Sequence, residues 1–316
     1  MTFCPTFAGW EEFRAHRFDE SVWRPLVHEV LARHDIERPK RVVMASSVHV
    51  VAIAGPVVVK LYQPLSERDA WAVESAAIPL LGRHGLPVPE LLAAGVLFPR
   101  APRFRWPYCV LTRLAGRPLD EGQITAADRQ RIAAFLGSFL QRMHRIQPPG
   151  GRFEAPGFLA GRLSGCAQEH RRRGILPAHL LDQVDRFLAA TRPIVLHGRP
   201  PVLTHGDLHA GNVYVDGLPG HVSPVGVLDL NDVRLLDPHY DLIVVHLRAL
   251  DGDISLLQQV LDAYDWGHPG HGWPERMLAL SLAHDFDEVG ALFQRDAAWR
   301  SVASLDDLAW RLWALP

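Results

Sequence analysis

Lysine is almost missing from this chain. Of 33 basic residues in a sequence of 316, only Lys40 and Lys60 are lysines; the rest are arginine. A lysine inside the apolar run VVVKLY therefore asks for a specific reason, since arginine serves elsewhere. Cysteine is scarce too, with Cys4, Cys109 and Cys166 far apart. Such an odd, scattered set is no disulfide framework, and without a Cys-x-x-Cys pair there is no zinc signature, so a reducing cytoplasm is the expected setting. Long apolar runs are absent. The greasiest stretch, 50–59, is broken by Gly55-Pro56, and none reaches the ~18 residues that a membrane helix needs. The opening MTFCPTFAGWEEFR has neither a basic head nor an apolar core, so no signal peptide is expected. A net charge of −2 gives no overall basic field, which excludes general attraction to nucleic acid or anionic lipid.

What is present is a globular composition, 48% hydrophobic and 22% charged, long enough for one large domain or two smaller ones. The charge is unevenly spread. Residues 200–316 carry 17 acidic side chains against 6 arginines, while 1–199 carry 27 basic against 18 acidic. An acidic C-terminal part attracts a cationic substrate, or is simply a solvated face.

The patterning changes along the chain. Residues 10–35 read as helical. A β-rich stretch follows: RVVM, then VHVVAIA, a Gly55-Pro56 turn and VVVKLY, with Val58, Lys60 and Tyr62 sharing one strand face. A helix is expected from Ser66, with Ser66 as cap and Asp69 three residues on completing a capping-box-like start, ending near Gly82, with Pro79 kinking or shortening its last turn. Strands are expected in LPVPELLAAGVLF and in PYCVLTRL. Beyond Ala115-Gly116 the pattern turns helical: Thr125-x-x-Asp128 opens one helix and 176–189 reads as another, while EHRRRG reads as a solvated run. Short strands surround HGDLHAGN and VLDLND, and the chain is mostly helical from 239 on.

HGDLHAGN and VLDLND carry the chemistry. Asp207 and Asn212 lie five apart on a glycine-containing loop between apolar strands, and Asp229 ends a further apolar run. A carboxylate and an amide oxygen, completed by water and phosphate, form the hard-oxygen set that Mg²⁺ prefers. The remaining aspartate can orient a hydroxyl and accept its proton. Asp, four residues, Asn, then a later Asp is the layout of the kinase catalytic loop and its metal-binding aspartate.

With DPHYDL downstream, these motifs resemble the aminoglycoside phosphotransferase and choline kinase-like superfamily over residues 41–246. The likeness is nearest to the hygromycin B 7''-O-phosphotransferases, through VWRPL, VVKLY, VESAAIPLL, LPVPELL, WPYCVLTRLAG, THGDLHAGNVYVD, LRALDGD and LAHDFDEV. The resemblance implies an α+β, protein-kinase-like two-lobed fold: a small β-rich N-lobe over 1–112 and a larger, mostly helical C-lobe over 113–316. It implies ATP and Mg²⁺ as co-substrate and cofactor, and O-phosphorylation of an aminoglycoside-like small molecule, conferring resistance.

Carried over residue by residue, Lys60 would hold the ATP phosphates and Glu74 would pair with it, with Glu67 as a rival. Ser46 and Ser47 would lie in the turn over the phosphates, since no glycine-rich loop is present. Thr112, Arg113 and Leu114 would be the hinge against adenine. Asp207 would be the catalytic base, and Asn212 and Asp229 the metal ligands. His205, His209, Asp237 and Asp241 are expected to brace the loop. Asp232 would face substrate or the loop. Asp285 and Glu288, three apart in an expected helix, would hold substrate amines. A kinase of choline, an amino acid or another sugar keeps the chemistry and changes the acceptor, and a non-catalytic pseudokinase is the rival of another class. A monomer or weak dimer is expected, without nucleic-acid or membrane partners.

Overall fold

At Gly55 the backbone takes a φ of +67° and Pro56 follows, so a two-residue turn of the primed kind joins two strands. The computed structural model describes residues 3–45, 47–66 and 68–316. The chain forms two compact units. One takes residues up to Ala115 together with Gly226–Asp232; the other takes Gly116–Val225 and Val233–Pro316.

In the first unit, strands β1 (Val43–Ala45), β2 (Val50–Ala54), β3 (Val57–Leu61), β4 (Leu91–Leu97) and β5 (Trp106–Thr112) form an antiparallel sheet ordered β1-β2-β3-β5-β4. β3 is central, and Lys60 stands opposite Val51 on one side and Cys109 on the other. Alternation along β3 puts Val57, Val59 and Leu61 on one face, in a core with Phe7, Phe13, Trp23 and Trp106. Helices α1 (Trp10–His16) and α2 (Glu20–Arg33) supply part of that aromatic cluster, and the Trp23 and Trp106 rings meet edge-on at 4.9 Å. One helix was expected over 10–35. Two form because Asp19 accepts the Ser21 amide and starts α2 afresh.

The other face of β3 carries Lys60 and Tyr62. Helix α3 (Ala70–Arg83) turns Glu74, Ala77, Ile78 and Leu81 inward at helical spacing. Its start corrects the sequence reading: Asp69, not Ser66, is the cap, accepting the Ala72 amide, while the Ser66 hydroxyl accepts the Arg68 amide in a local turn. Pro79 does not cut the helix short, which runs four residues past it. Glu67 lies outside the described residues.

The second unit is mainly helical, with two small sheets. Strand β6 (Arg117–Pro118) pairs with β8 (Val213–Asp216), whose other neighbour is β9 (Ser223–Val227), a strand whose last two residues are counted with the first unit, and β7 (Val202–Thr204) pairs with β10 (Arg234–Leu236). The helices are α4 (Ala126–His144), α5 (Phe158–Arg173), α6 (Ala178–Leu196), α7 (His239–Val244), α8 (Ile254–Tyr264), α9 (Trp273–Ala283), α10 (Glu288–Arg295) and α11 (Leu305–Trp313). Thr125 and Asp128 form the expected capping box on α4. At Gly137 the backbone of α8 comes so near that a Cβ would lie 2.3 Å from the Val260 carbonyl oxygen. Helix α5 was missed. Its polar EHRRR end hides a buried stripe of Leu163, Cys166, Ala167 and His170, and Gly174 closes it at φ +64°. The β-rich first part and larger helical second part give the expected α+β class. Among the described residues no helix is long and apolar enough to cross a membrane.

Candidate active site

In the first unit, Lys60 Nζ lies 2.7 Å from Glu74 Oε2 and 2.5 Å from Asp229 Oδ1. Lys60 is only 4% exposed, so it has given up almost all its hydration. Burial alone would pull the ammonium's pKa down. Asp229 and then Glu74 outweigh it and hold the value above a lysine's ordinary one, so the group is charged. Glu74 is pushed up, by its own burial and by Asp229, against the pull of Lys60. Glu74 also accepts from Tyr62 Oη at 2.6 Å and from the Leu230 amide at 3.2 Å. The carboxylate thus ties the strand lysine to the backbone next to Asp229. Asp229 sits in the left-handed region at φ +61°, and its Oδ1 also accepts from Asn231 Nδ2 at 2.6 Å.

Other expected residues of this unit have different partners. Asp232 pairs with Arg68. Ser47 Oγ accepts the His49 amide at 3.2 Å in a hydroxyl turn, and Ser46 lies outside the described residues. The Thr112 amide donates to Glu90 and the Arg113 amide to Pro56, so both are committed to carbonyls around the sheet; Leu114 follows them. Tyr62, Asn231 and His49 were not singled out from sequence. The available signal for Tyr62 was its place two residues after Lys60 on the same strand face.

In the second unit, the HGDLHAGN loop hangs from one buried carboxylate. Asp241 Oδ2 accepts the His205 amide at 2.9 Å and Oδ1 accepts the Gly206 amide at 2.8 Å. His144 Nε2 meets the same carboxylate at 2.9 Å. Burial would raise the Asp241 pKa, but the hydrogen bond and charge of His144, then His205 and the Gly206 amide, hold it below the usual aspartate range. Gly206 turns at φ +86°, a conformation that glycine takes without strain. The Asp207 amide donates to His205 Nδ1 at 3.2 Å, and Asn212 Nδ2 donates to the Asp207 carbonyl at 2.8 Å. His209 Nδ1 accepts the Gly211 amide at 3.0 Å. His205, His209 and Asp241 therefore brace the loop as expected, and Asp237 accepts the His239 amide at 2.9 Å.

The carboxylates expected to meet substrate amines stand differently. Asp285 and Glu288 do not share a helix face: α9 ends at Ala283, Asp287 caps α10, and Asp285 lies in the connection. Asp287 accepts the Gly290 amide, and this cap fixes the break. Asp285 is held by Arg162 at 3.2 Å and Arg234 at 3.0 Å. Glu288 is buried beside Arg248 at 3.4 Å. No sequence signal pointed to these arginines.

Among the described residues, no cluster of three or more His, Cys, Asp and Glu side chains is arranged to cage a metal alone. Mg²⁺ itself takes few protein ligands and relies on phosphate and water for the rest.

Solved structures share this fold. An APH(2'') phosphotransferase complexed with GDP and kanamycin superposes with a TM-score of 0.67 at 16% identity, covering 90% of this chain and 97% of the other. The aminoglycoside phosphotransferase APH(3'')-Id of Streptomyces rimosus gives 0.57 at 21%, covering 82% and 98%. The macrolide 2'-phosphotransferase MphH of Brachybacterium faecium gives 0.58 at 20%, covering 91% and 97%. At such identities the likeness is one of fold. The family model for phosphotransferase enzymes matches residues 38–278, most of the chain and both motif regions, and the chain belongs to the phosphotransferase enzyme family.

Proposed function

We propose that the protein transfers the γ-phosphoryl group of ATP to a hydroxyl of an aminoglycoside antibiotic. The observation that carries this reading is the buried Lys60 ammonium set between Glu74 and Asp229. A chain that uses arginine nearly everywhere keeps its buried lysine where a compact point charge meets phosphate oxygens. Lys60 grips the phosphates and Glu74 fixes it. As the resemblance implies, Ser46 and Ser47 would serve the phosphates, and Thr112 and Leu114 would border adenine. The amides of Thr112 and Arg113 are engaged, so Leu114 is the better candidate for a backbone contact.

Asn212 and Asp229 would hold Mg²⁺, which when bound neutralises phosphate charge. Asp207 orients the acceptor hydroxyl and takes its proton as the acceptor oxygen bonds to the γ-phosphorus. The bond to the bridging oxygen breaks and ADP leaves. Positioning and charge stabilisation supply most of the rate for such a loose transition state.

Hygromycin B is the first acceptor to test, on the strength of the motif resemblance from VWRPL to LAHDFDEV. Asp232 and Asp285 are candidate acceptor contacts, and Glu288 a weaker one. A second reading, a macrolide or another polyol with few amines, gains from one observation: Arg68, Arg162, Arg234 and Arg248 already answer those three carboxylates. Mass spectrometry after incubation with MgATP and single acceptors decides between them. One added phosphate on hygromycin B supports the first reading. Phosphate only on a macrolide selects the second, and no transfer to any hydroxyl acceptor overturns both.

A further inference from the structure

Tyr62 stands just past the end of β3, two residues from Lys60, and is held from three directions. Its amide donates to the Pro107 carbonyl at 2.8 Å, extending the ladder to β5. Its ring packs on the His49 imidazole with centroids 4.9 Å apart. Its hydroxyl donates to Glu74 Oε2 at 2.6 Å, the same oxygen that Lys60 Nζ approaches at 2.7 Å. Tyr62 and Glu74 are each 2% exposed, so water does not compete for that bond. A buried carboxylate needs several donors, and Glu74 has a lysine, a phenol and one backbone amide. The phenol is the only neutral side chain among them. It occupies a lone pair that the ammonium would otherwise take.

We propose that Tyr62 is a positioning residue of the phosphate-gripping site. Its hydroxyl holds the Glu74 carboxylate so that Lys60 gives Glu74 a single hydrogen bond and, with a second on Asp229, keeps its third N–H for the nucleotide. This rests on the reading of Lys60 as the phosphate ligand. Without the hydroxyl, Glu74 turns more of its charge to Lys60 and draws the ammonium away from phosphate. The acceptor and the proton transfer at Asp207 are untouched, so the effect falls on nucleotide affinity.

The test uses the full chain with Tyr62→Phe, which keeps the ring, and with Lys60→Met, Glu74→Gln and Tyr62→Phe/Glu74→Gln. Tyr62→Phe is expected to raise the KM for ATP about tenfold, the scale of a hydrogen bond to a buried charge, with kcat and acceptor KM within twofold. In the Glu74→Gln background the same change is expected to add less than twofold, because the carboxylate it positions is gone. A core-packing role would lower the melting temperature and leave the ATP KM alone. An unchanged ATP KM in Tyr62→Phe, with Lys60→Met crippled, overturns the role of Tyr62 and leaves the site reading intact. Undiminished turnover and ATP binding in Lys60→Met overturn that reading and this inference with it.

Discussion

His205 donates its amide hydrogen to Asp241 Oδ2 at 2.9 Å, and Gly206 does the same to the other oxygen at 2.8 Å. Two consecutive backbone amides on one buried carboxylate fix the direction in which the chain enters Asp207. Asp241→Asn keeps the shape but turns an NH₂ group toward one of those donors. It should cost about 2–4 kcal/mol in urea unfolding at pH 7. An acid whose folded pKa lies below its unfolded one stabilises above the unfolded value and loses that stabilisation as pH falls through the folded value. The gap between wild type and variant should therefore narrow below pH ~4. Equal stability at pH 7 would show that the amides do not depend on the charge.

Asp207→Asn tests the chemistry on that loop. Asn212 and His205 bond to the Asp207 backbone, so the side-chain change leaves those two contacts in place. Turnover should fall by about 10²–10⁴, the usual weight of a general base, while calorimetric affinity for ATP stays within a few-fold. Turnover within tenfold of wild type would remove Asp207 from the proton's path.

How much of this was legible in the sequence depends on the range of the interaction. The β2–β3 hairpin was readable because Gly55-Pro56 is a local turn signal, and the Thr125–Asp128 cap because its partners lie three apart. Lys60 stood out by scarcity, and its pairing with Glu74 was reached only through the family resemblance. The hydrogen bond from Tyr62 to Glu74 spans twelve residues and nothing local announces it. Helix α5 was missed because its exposed arginines dominate the window and only its buried stripe is apolar. The acidic C-terminal part, residues 200–316, suggested a cation site. Yet Asp253, Asp287, Asp296 and Asp307 accept backbone amides, and Asp285 meets two arginines, so much of that charge serves local structure.

Gly137→Ala separates helix propensity from packing. In a free helix alanine is the better residue by ~1 kcal/mol. Here its Cβ would lie 2.3 Å from the Val260 carbonyl oxygen and 2.8 Å from the Ala263 Cβ, so α4 and α8 must move apart. A net loss of about 1–3 kcal/mol is expected in chemical unfolding. A gain in stability would show that the two helices yield at no cost.

Glu288 offers a test of where the acidic residues spend their charge. It is 1% exposed, and its Oε2 has no hydrogen-bond partner among the described residues. Burial pushes its pKa up to about 7, against the Arg248 guanidinium at 3.4 Å. The folded state therefore holds a proton that the unfolded chain releases near pH ~4.3. Stability then falls as pH rises from there through 7, and the penalty is complete above it. Glutamine cannot ionise, so Glu288→Gln should stabilise the protein by about 1–3 kcal/mol at pH 8, with the difference vanishing toward pH 4. A carboxylate reserved for a substrate amine behaves otherwise: its loss raises the acceptor KM and brings no pH-dependent gain. Melting temperatures from pH 4 to 8, read beside acceptor KM, tell the two apart, and the buried position beside Arg248 favours the gain in stability.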